Sequence, residues 1–420
     1  MKQGRDDGEQ DDTEPMLNVE EAQRRVLSVF RPLEAERLPI LAAMRRVLVE
    51  DIYTDQDIPP CANSSMDGYA VRAVDTVGGS SETPVPLHII GELPAGRVPE
   101  QAVTRGTAIR IMTGAPLPPG ADAVVKVEDT ATEGEYVQIC TAVKAGNYVR
   151  PAGEDVRDGS LVLCRGTRLR PQEVGMLAAL GHEQVWVTRR PRVAILATGD
   201  ELVAIDKPLT LGKIRDSNSY SNAAQVIEHG GDPILLGIAR DRVGELTAKI
   251  RAGLEQKVDL FLTSGGVSVG SLDLVKDVLA AEGQMDFWRV RMKPGKPLAF
   301  GHIGGVPVLG LPGNPVSVMV SFEMFVRPAL MTMQGARDWR RPIADATLMD
   351  EIKHKDERRH FVRARLVWEN GEYHAYLTGA QGSGILSSMV KANALAIVPE
   401  EWDHAPAGAR VQVMMLECRA

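Results

Sequence analysis

The chain has 420 residues and a mass of 45.6 kDa, enough for about three domains of ordinary size, and its 44% hydrophobic and 25% charged residues are the balance of a globular protein with an ample core. A formal net charge of −8 argues against a dominant nucleic-acid partner, though a local basic pocket for an anionic small molecule remains compatible with it. Cys61, Cys140, Cys164 and Cys418 stand far apart with no Cys-x-x-Cys pair and no neighbouring His, so neither a structural zinc site nor a disulfide framework is indicated. Cys61 reads as an inert, partly buried residue before it reads as a reactive thiol.

Residues 1–14 are acidic and polar with no apolar h-region, so the expectation is a cytoplasmic protein with a short disordered tail and no secretory signal. Asn18 and Glu21 form a capping box for a helix carrying Val19, Ala22, Val26 and Phe30 on one side. Pro39 predicts the start of a second helix, through Ala42 to Leu48, before the extended segment Asp57-Ile58-Pro59-Pro60. Strands are expected at 69–72, 87–91, 107–112, 123–128 and 136–142, separated by Gly and Pro as in a compact all-β module. Within this region Asp67-Gly68 and Thr113-Gly114 are ordinary turn chemistry on physical grounds alone.

From 191 to about 333 the texture changes to alternating strands and helices. Strands are expected at 193–196, 233–237 and 258–263, with helices at 220–228, 242–254 and 272–281, then a hairpin over 300–311 through Gly304-Gly305 and a final helix at 316–331. That alternation favours a parallel sheet with right-handed crossovers, and ligands bind such sheets at the carboxyl ends of the strands. The best candidate for a membrane span, 316–326, is short and interrupted by Glu323. From Arg341 the chain is β again, with an Asn370-Gly371 hairpin turn between 361–368 and 373–377.

Residues 260–270 are the most informative stretch: a short apolar run ends in Ser264-Gly265-Gly266-Val267-Ser268-Val269-Gly270, and an amphipathic segment opens directly after it. Strand, glycine loop and helix start make an anion site, because glycines admit a phosphate close to free backbone N–H groups. A tight structural turn would use the same residues. The loop is neither Gly-x-Gly-x-x-Gly nor a P-loop, so a dinucleotide or ordinary NTPase reading is not licensed.

Asp273, just beyond, would repel a phosphate unless a divalent metal intervened. Asp200, Glu201, Asp216 and Asp241 are expected near the same sheet edge, and a reference carboxylate pKa of about 4 keeps such acids ionised at neutral pH. Mg²⁺ suits such a cluster beside phosphates. Asp216 and Asp241 would look the same if they were only helix N-caps. Basic residues follow in Arg289, Arg291, Lys293 and Lys296, the first three sharing one face if the segment is extended, and a Pro-Gly corner fixes the lysine pair. Pro312-Gly313-Asn314-Pro315 makes a rigid strand-to-helix turn.

Taken in order, 65–71, 110–116, 120–125, 150–155, 197–202, 216–218, 263–270, 293–297, 311–317 and 381–393 resemble the molybdopterin molybdenumtransferase family, to which the C-terminal domain of gephyrin is related. The resemblance runs from about Glu20 to the end. It implies a multidomain α/β plus β fold: a disordered tail (1–14), a helical and extended linker domain (15–60 with 151–188), a β-rich domain (61–150), a central three-layer α/β domain similar to the molybdopterin adenylyltransferases (189–335), and a small C-terminal β-barrel (336–420).

It implies insertion of molybdate into adenylylated molybdopterin by an elongated homodimer, with Mg²⁺-dependent release of AMP. By motif matching, Asp67, Thr113, Arg150 and Asp155 would enter the cleft from the partner subunit. Glu201, Asp241 and Asp273 would serve metal and nucleotide, and Ser264, Gly265, Gly266, Ser268 and Gly270 the anionic ligand. Arg289, Lys293 and Lys296 would hold anions, Pro312, Gly313 and Pro315 would line the dithiolene and molybdate site, and Ser383 would come from the barrel. Asp67, Thr113, Glu201, Asp241 and Lys293 are the residues expected to carry catalysis. Arg289 stands where Lys is expected and Ser65 where Ala is common.

A molybdopterin adenylyltransferase and molybdoenzyme-maturation proteins are the partners this allows, with no nucleic acid and no membrane. A tungsten-inserting paralogue, a molybdopterin adenylyltransferase and a non-catalytic gephyrin-like scaffold are the rival readings.

Overall fold

The computed structural model describes residues 16–265, 283–353 and 356–416. The chain divides into two compact units: Glu50–Arg165 with Gly175–His182, and Met1–Val49 with Gly166–Val174 and Glu183–Ala420.

The Glu50–Arg165 unit is built on a six-stranded sheet in the order Ala123–Lys126, Gly68–Val71, Thr107–Ile111, Val85–Leu93, Tyr136–Ile139, Thr130–Glu133. Each of the five strands expected from the sequence is present, with Thr130–Glu133 added at the edge. Alternate side chains are buried on both faces, Tyr69, Val71 and Val125 in one cluster and Ala70, Ile111 and Val124 in the other. Gly68 is required for close approach, since a Cβ there would lie 2.0 Å from the Val125 carbonyl oxygen.

The other unit opens with α1 (Val19–Leu27), where the Asn18 side chain accepts the Glu21 N–H at 2.7 Å. The Glu21 carboxylate turns instead to Arg24 and Arg25, so only half of the capping box forms. Val19, Ala22, Val26 and, past the helix end, Phe30 are buried.

The second helix expected from Pro39 does not exist. Ala35–Pro39 is a strand, paired antiparallel with Gln184–Thr188, and residues 40–45 are turns ending at Arg45 with φ of 65°. A strand partner far along the chain overrode the local helix signal.

The α/β part consists of β1 (Arg192–Thr198), α2 (Asn218–Glu228), β2 (Asp232–Ala239), α3 (Val243–Glu255), β3 (Leu260–Ser264), β4 (Gly283–Arg289), β5 (Met292–Lys293), β6 (Pro297–Ile303) and β7 (Val306–Leu311). Its sheet runs β2-β1-β3-β7-β6-β4, parallel from β2 to β7 and antiparallel beyond. The chain leaves β1 for β2 on one side and returns to β3 on the other. The crevice at the carboxyl ends of β1 and β3 is therefore a topological switch point. The helix expected over 272–281 lies outside the described residues.

A helical run follows as α4 (Pro315–Ser321), a π turn (Phe322–Val326) and α5 (Arg327–Met333). It is long and apolar enough to cross a membrane by composition, yet 89% buried within the protein, as a core helix is. After it, β8 (Ile343–Leu348), β9 (Arg359–Glu369), β10 (Glu372–Leu377), β11 (Ala394–Val398) and β12 (Arg410–Met415) form a sheet in the order β9-β10-β8-β12-β11. Pairing of β11 with β9 closes it into a five-stranded barrel. Asn370 and Gly371 make the hairpin turn with positive φ, as their sequence demands.

β5 does not belong to the α/β sheet. It pairs in parallel with β9, Met292 opposite Arg359 and Lys293 opposite His360. The expected single extended face of Arg289, Arg291 and Lys293 is thus broken at buried Val290: Arg289 ends a strand of one sheet and Lys293 lies in the other.

Glu323, in the π turn, is buried with three basic partners: Arg341 at 2.9 Å, Arg327 at 3.0 Å and His229 at 3.6 Å. Arg341 also donates to the Leu416 carbonyl at the end of the barrel. Burial alone would raise the Glu323 carboxyl, but His229 and Arg341 hydrogen bonds and the guanidinium charges lower it from 4.5 to about 2. Glu323→Ala should destabilise by about 3–5 kcal/mol in denaturant unfolding at neutral pH, because two cations are left without their anion. The depressed pKa means this stabilisation is full above pH 4.5 and lost as pH falls toward 2 in the wild type. A loss under about 1 kcal/mol would contradict it.

Candidate active site

At the switch point, Thr198 closes β1 and Ser264 closes β3. Gly265 has φ of 87°, and a Cβ there would come within 2.5 Å of the Thr198 carbonyl oxygen, so glycine lets the loop turn over the strand end. Among the described residues, the Thr198, Thr263, Ser264 and Ser219 hydroxyls and the Asn222 amide are buried with no hydrogen-bond partner. Each such group costs about 1–3 kcal/mol unless a ligand satisfies it. The Asn218 amide donates to the Gly313 carbonyl at 2.7 Å, joining the start of α2 to the Pro312–Pro315 turn. Gly266, Ser268, Gly270 and Asp273 lie outside the described residues.

Beside this crevice is an acidic edge. The Asp241 N–H donates to Asp200 Oδ1 at 3.4 Å, and the Arg240 guanidinium reaches the carbonyls of Asp200 at 3.0 Å and Leu202 at 2.8 Å. Arg240 so fixes the loop that carries Asp200 and Glu201. Burial, then the Asp200 charge and more weakly Glu201, raise the Asp241 carboxyl above its ordinary value.

Asp216 separates from this set: its carboxylate accepts the Ser219 N–H at 3.0 Å and serves as a cap on α2. Asp241, likewise one residue before the N-cap of its helix, makes no such bond to α3 among the described residues. Among the described residues no group of three or more His, Cys, Asp or Glu is arranged to enclose a metal by itself.

A cleft of about 610 Å³ lies between the Lys293–Pro297 corner, the Pro312–Asn314 turn with Ser317, and the barrel residues Glu351–Lys353, Arg358, His360–Arg363, Leu377 and Gln381–Ser383. Lys293, Lys296, Pro312, Gly313 and Ser383 all line this one cleft. Arg289 and Pro315 do not line it, though Pro315 starts α4, and neither do Glu201 and Asp241. The Ser383 carbonyl accepts the Val316 N–H at 3.0 Å, which ties the barrel loop to α4.

Two barrel residues escaped the sequence reading. Arg363 is 2% exposed, donates to Ser388 Oγ and the Gly382 carbonyl at 3.1 Å each, and pairs with no carboxylate among the described residues. Burial pushes its guanidinium down to about 10. Asp356 accepts from Lys293, His360 and Arg358. Burial would raise its carboxyl, but hydrogen bonds from Arg358, His360 and Lys293 hold it well below the carboxylate range. No spacing signal marks either one, because Arg363 sits in a strand whose neighbours Val362 and Ala364 are buried as well.

In the Glu50–Arg165 unit, Thr113 donates from its N–H at 2.7 Å and its hydroxyl at 2.8 Å to Asp67 Oδ1, which lowers the exposed Asp67 carboxyl. The two loops are stitched by Ser64 N–H to Ala115 and Gly114 N–H to Ser64, and Val149–Arg150 pairs with Asn63–Ser64. Arg150 and Asp155 are exposed, Arg150 lying 3.8 Å from Glu154.

The family description "MoeA N-terminal region (domain I and II)" matches residues 17–181, "Probable molybdopterin binding domain" residues 194–332 and "MoeA C-terminal region (domain IV)" residues 345–416. A molybdopterin molybdenumtransferase of Nostoc sp. is 37% identical over 415 residues, spanning 96% of this chain and 94% of that protein. The chain belongs to the molybdopterin molybdenumtransferase family. Molybdopterin molybdenumtransferase 2 of Mycobacterium tuberculosis is 38% identical over 404 residues, 95% of this chain and 99% of that one. The crystal structure of the molybdopterin biosynthesis moeA protein from Pyrococcus horikoshii OT3 superposes with a TM-score of 0.82 at 34% identity, covering 96% of this chain and all of that one.

For this family member, a buried guanidinium without a carboxylate is a ready anion ligand and a burden on folding. Arg363→Met should leave the unfolding midpoint unchanged or higher while weakening molybdate binding at least about tenfold by calorimetry. A lower midpoint with unchanged binding would assign Arg363 to the scaffold alone.

Proposed function

We propose that the chain is a transferase of molybdenum cofactor biosynthesis that inserts molybdate into adenylylated molybdopterin and releases AMP. The observation that carries this reading is the juxtaposition, through the Asn218–Gly313 bond, of a crevice with unsatisfied buried hydroxyls and a cleft lined by Lys293, Lys296 and Arg363. The first suits a phosphate-bearing pterin nucleotide, the second a tetrahedral oxyanion. The family relatives match across both units, whereas an adenylyltransferase reading would need only the α/β part.

In this reading the loop after β3 and the hydroxyls of Thr198, Thr263 and Ser264 hold the phosphates, and the Pro312–Pro315 turn faces the dithiolene. Lys293, Lys296, Arg363 and Ser383 hold molybdate so that one of its oxygens, or a water, is placed against the phosphoanhydride. The attacking oxygen bonds to one phosphorus as the bridging P–O bond breaks, so that AMP leaves with one phosphate and the other stays on the pterin; the two dithiolene thiols displace one oxygen of molybdate, which leaves with their protons as water. Mg²⁺ would suit the acidic edge, where burial and then the Asp200 and Glu201 charges raise Asp241 and a cation would relieve the repulsion. Glu201 and Asp241 would hold it with retained waters and substrate phosphates, and it would offset charge on those phosphates. We further assign a cytoplasmic homodimer in which the partner subunit's Asp67, Thr113, Arg150 and Asp155 complete the cleft; their exposure on their own unit supports this.

Asp241→Asn and Lys293→Ala should each keep the fold and the oligomeric state but lose AMP release from adenylylated molybdopterin supplied with Mg²⁺ and molybdate. Wild-type-like release by purified Lys293→Ala protein would count against the assigned cleft. Because the Asp241 pKa is raised, its protonation competes with the cation at a higher pH than for an ordinary aspartate. The Mg²⁺ concentration for half-maximal AMP release by the wild-type protein should therefore climb as pH is lowered.

A further inference from the structure

The Lys293 ammonium is 3.0 Å from Asp356 Oδ2. The same carboxylate takes a forked contact from Arg358, Nε to Oδ1 at 3.1 Å and Nη2 to Oδ2 at 2.9 Å, and a bond from His360 Nε2 to Oδ1 at 2.9 Å. The register of β5 on β9, Lys293 opposite His360, brings these groups together through the backbone. We propose that Asp356 is an internal anion that competes with the oxyanion for Lys293, and gives the lysine up to doubly charged oxyanions but not to singly charged ones. This rests on the reading of the Lys293–Ser383 cleft as the oxyanion site.

The exchange is physically easy. A carboxylate held by three basic side chains can release one of them, because the Arg358 fork and His360 still satisfy both oxygens. Lys293 can move, since its ammonium is a point charge on a flexible stem, half-exposed at the cleft wall, while the planar Arg358 contact is fixed. The ligand then decides the outcome. At a given distance and dielectric a dianion attracts the ammonium twice as strongly as a carboxylate does, and a monoanion no more strongly. With Asp356 in place, molybdate draws Lys293 away and nitrate does not.

Calorimetric titration of the full-length protein with molybdate, and separately with nitrate, tests this. Asp356→Asn should tighten molybdate roughly 2- to 5-fold, the range of a partly exposed ion pair, and nitrate by no larger factor, because nitrate never has to break the Lys293–Asp356 pair. The gain should vanish when Lys293→Met is added. An unchanged or weaker molybdate affinity, or a gain that persists without Lys293, overturns the proposal.

A reading on the wild-type chain is independent of how the Asn variant folds. With reductively ¹³C-methylated lysines, saturating molybdate should shift the Lys293 resonance, identified by its loss in Lys293→Met, and saturating nitrate should not. Equal responses, or none, overturn the proposal. Wild-type protein that binds no molybdate at all defeats the oxyanion reading of the cleft itself, whereas molybdate binding with an indifferent Asp356→Asn defeats only the role of Asp356.

Discussion

Two sheets share one short piece of chain. After Arg289 the backbone leaves the edge of the α/β sheet, turns at buried Val290, and two residues later is hydrogen-bonded to β9 of the barrel. Everything about the basic cleft depends on this crossing. Because backbone pairing fixes Lys293 opposite His360, the lysine, the cationic barrel residues and the Pro-Gly corner hold their relation without any side chain having to choose it. The Glu323 cluster braces the same region, linking the core helix to the end of α2 and, through Arg341, to the final barrel strand.

The second constraint is electrostatic division. Carboxylates gather at the ends of β1 and β2, where burial and then the Asp200 and Glu201 charges raise the Asp241 pKa, and cations gather around the corner and the barrel. The crevice at the switch point holds buried polar groups without partners among the described residues. Such an arrangement is costly for the chain alone and favourable with a ligand that is anionic at both ends, since buried polar groups and like charges are each relieved by binding. Arg363 extends the same principle: its cation is desolvated in advance, so an incoming oxyanion meets a donor that water no longer screens.

Much of the fold was readable from local pattern. Period-two alternation marked the strands of the β-rich unit, Asn370-Gly371 fixed a hairpin, and Asn18 capped α1. The failures have a common cause. Pro39 announced a helix, but residues 35–39 found a strand partner at 184–188, nearly 150 positions away. The alternation of Arg289, Arg291 and Lys293 announced one extended face, but the chain changed sheets in the middle of it. Asp216 and Asp241 carried the same ambiguous signal, and only hydrogen-bond geometry separated the helix cap from the loop acid.

From residue identity alone came the chemistry of the loops: glycine where backbone must pass close to backbone, acids at strand ends, lysines about a rigid corner, and the ordered motifs that carry the family. Those are local properties, set by φ preference, charge and spacing. Tertiary structure alone decided which barrel side chains join them. Arg363 and Asp356 acquire their roles from a strand register between segments about 70 residues apart and from burial that removes water, and neither quantity is encoded in any neighbouring stretch of the sequence.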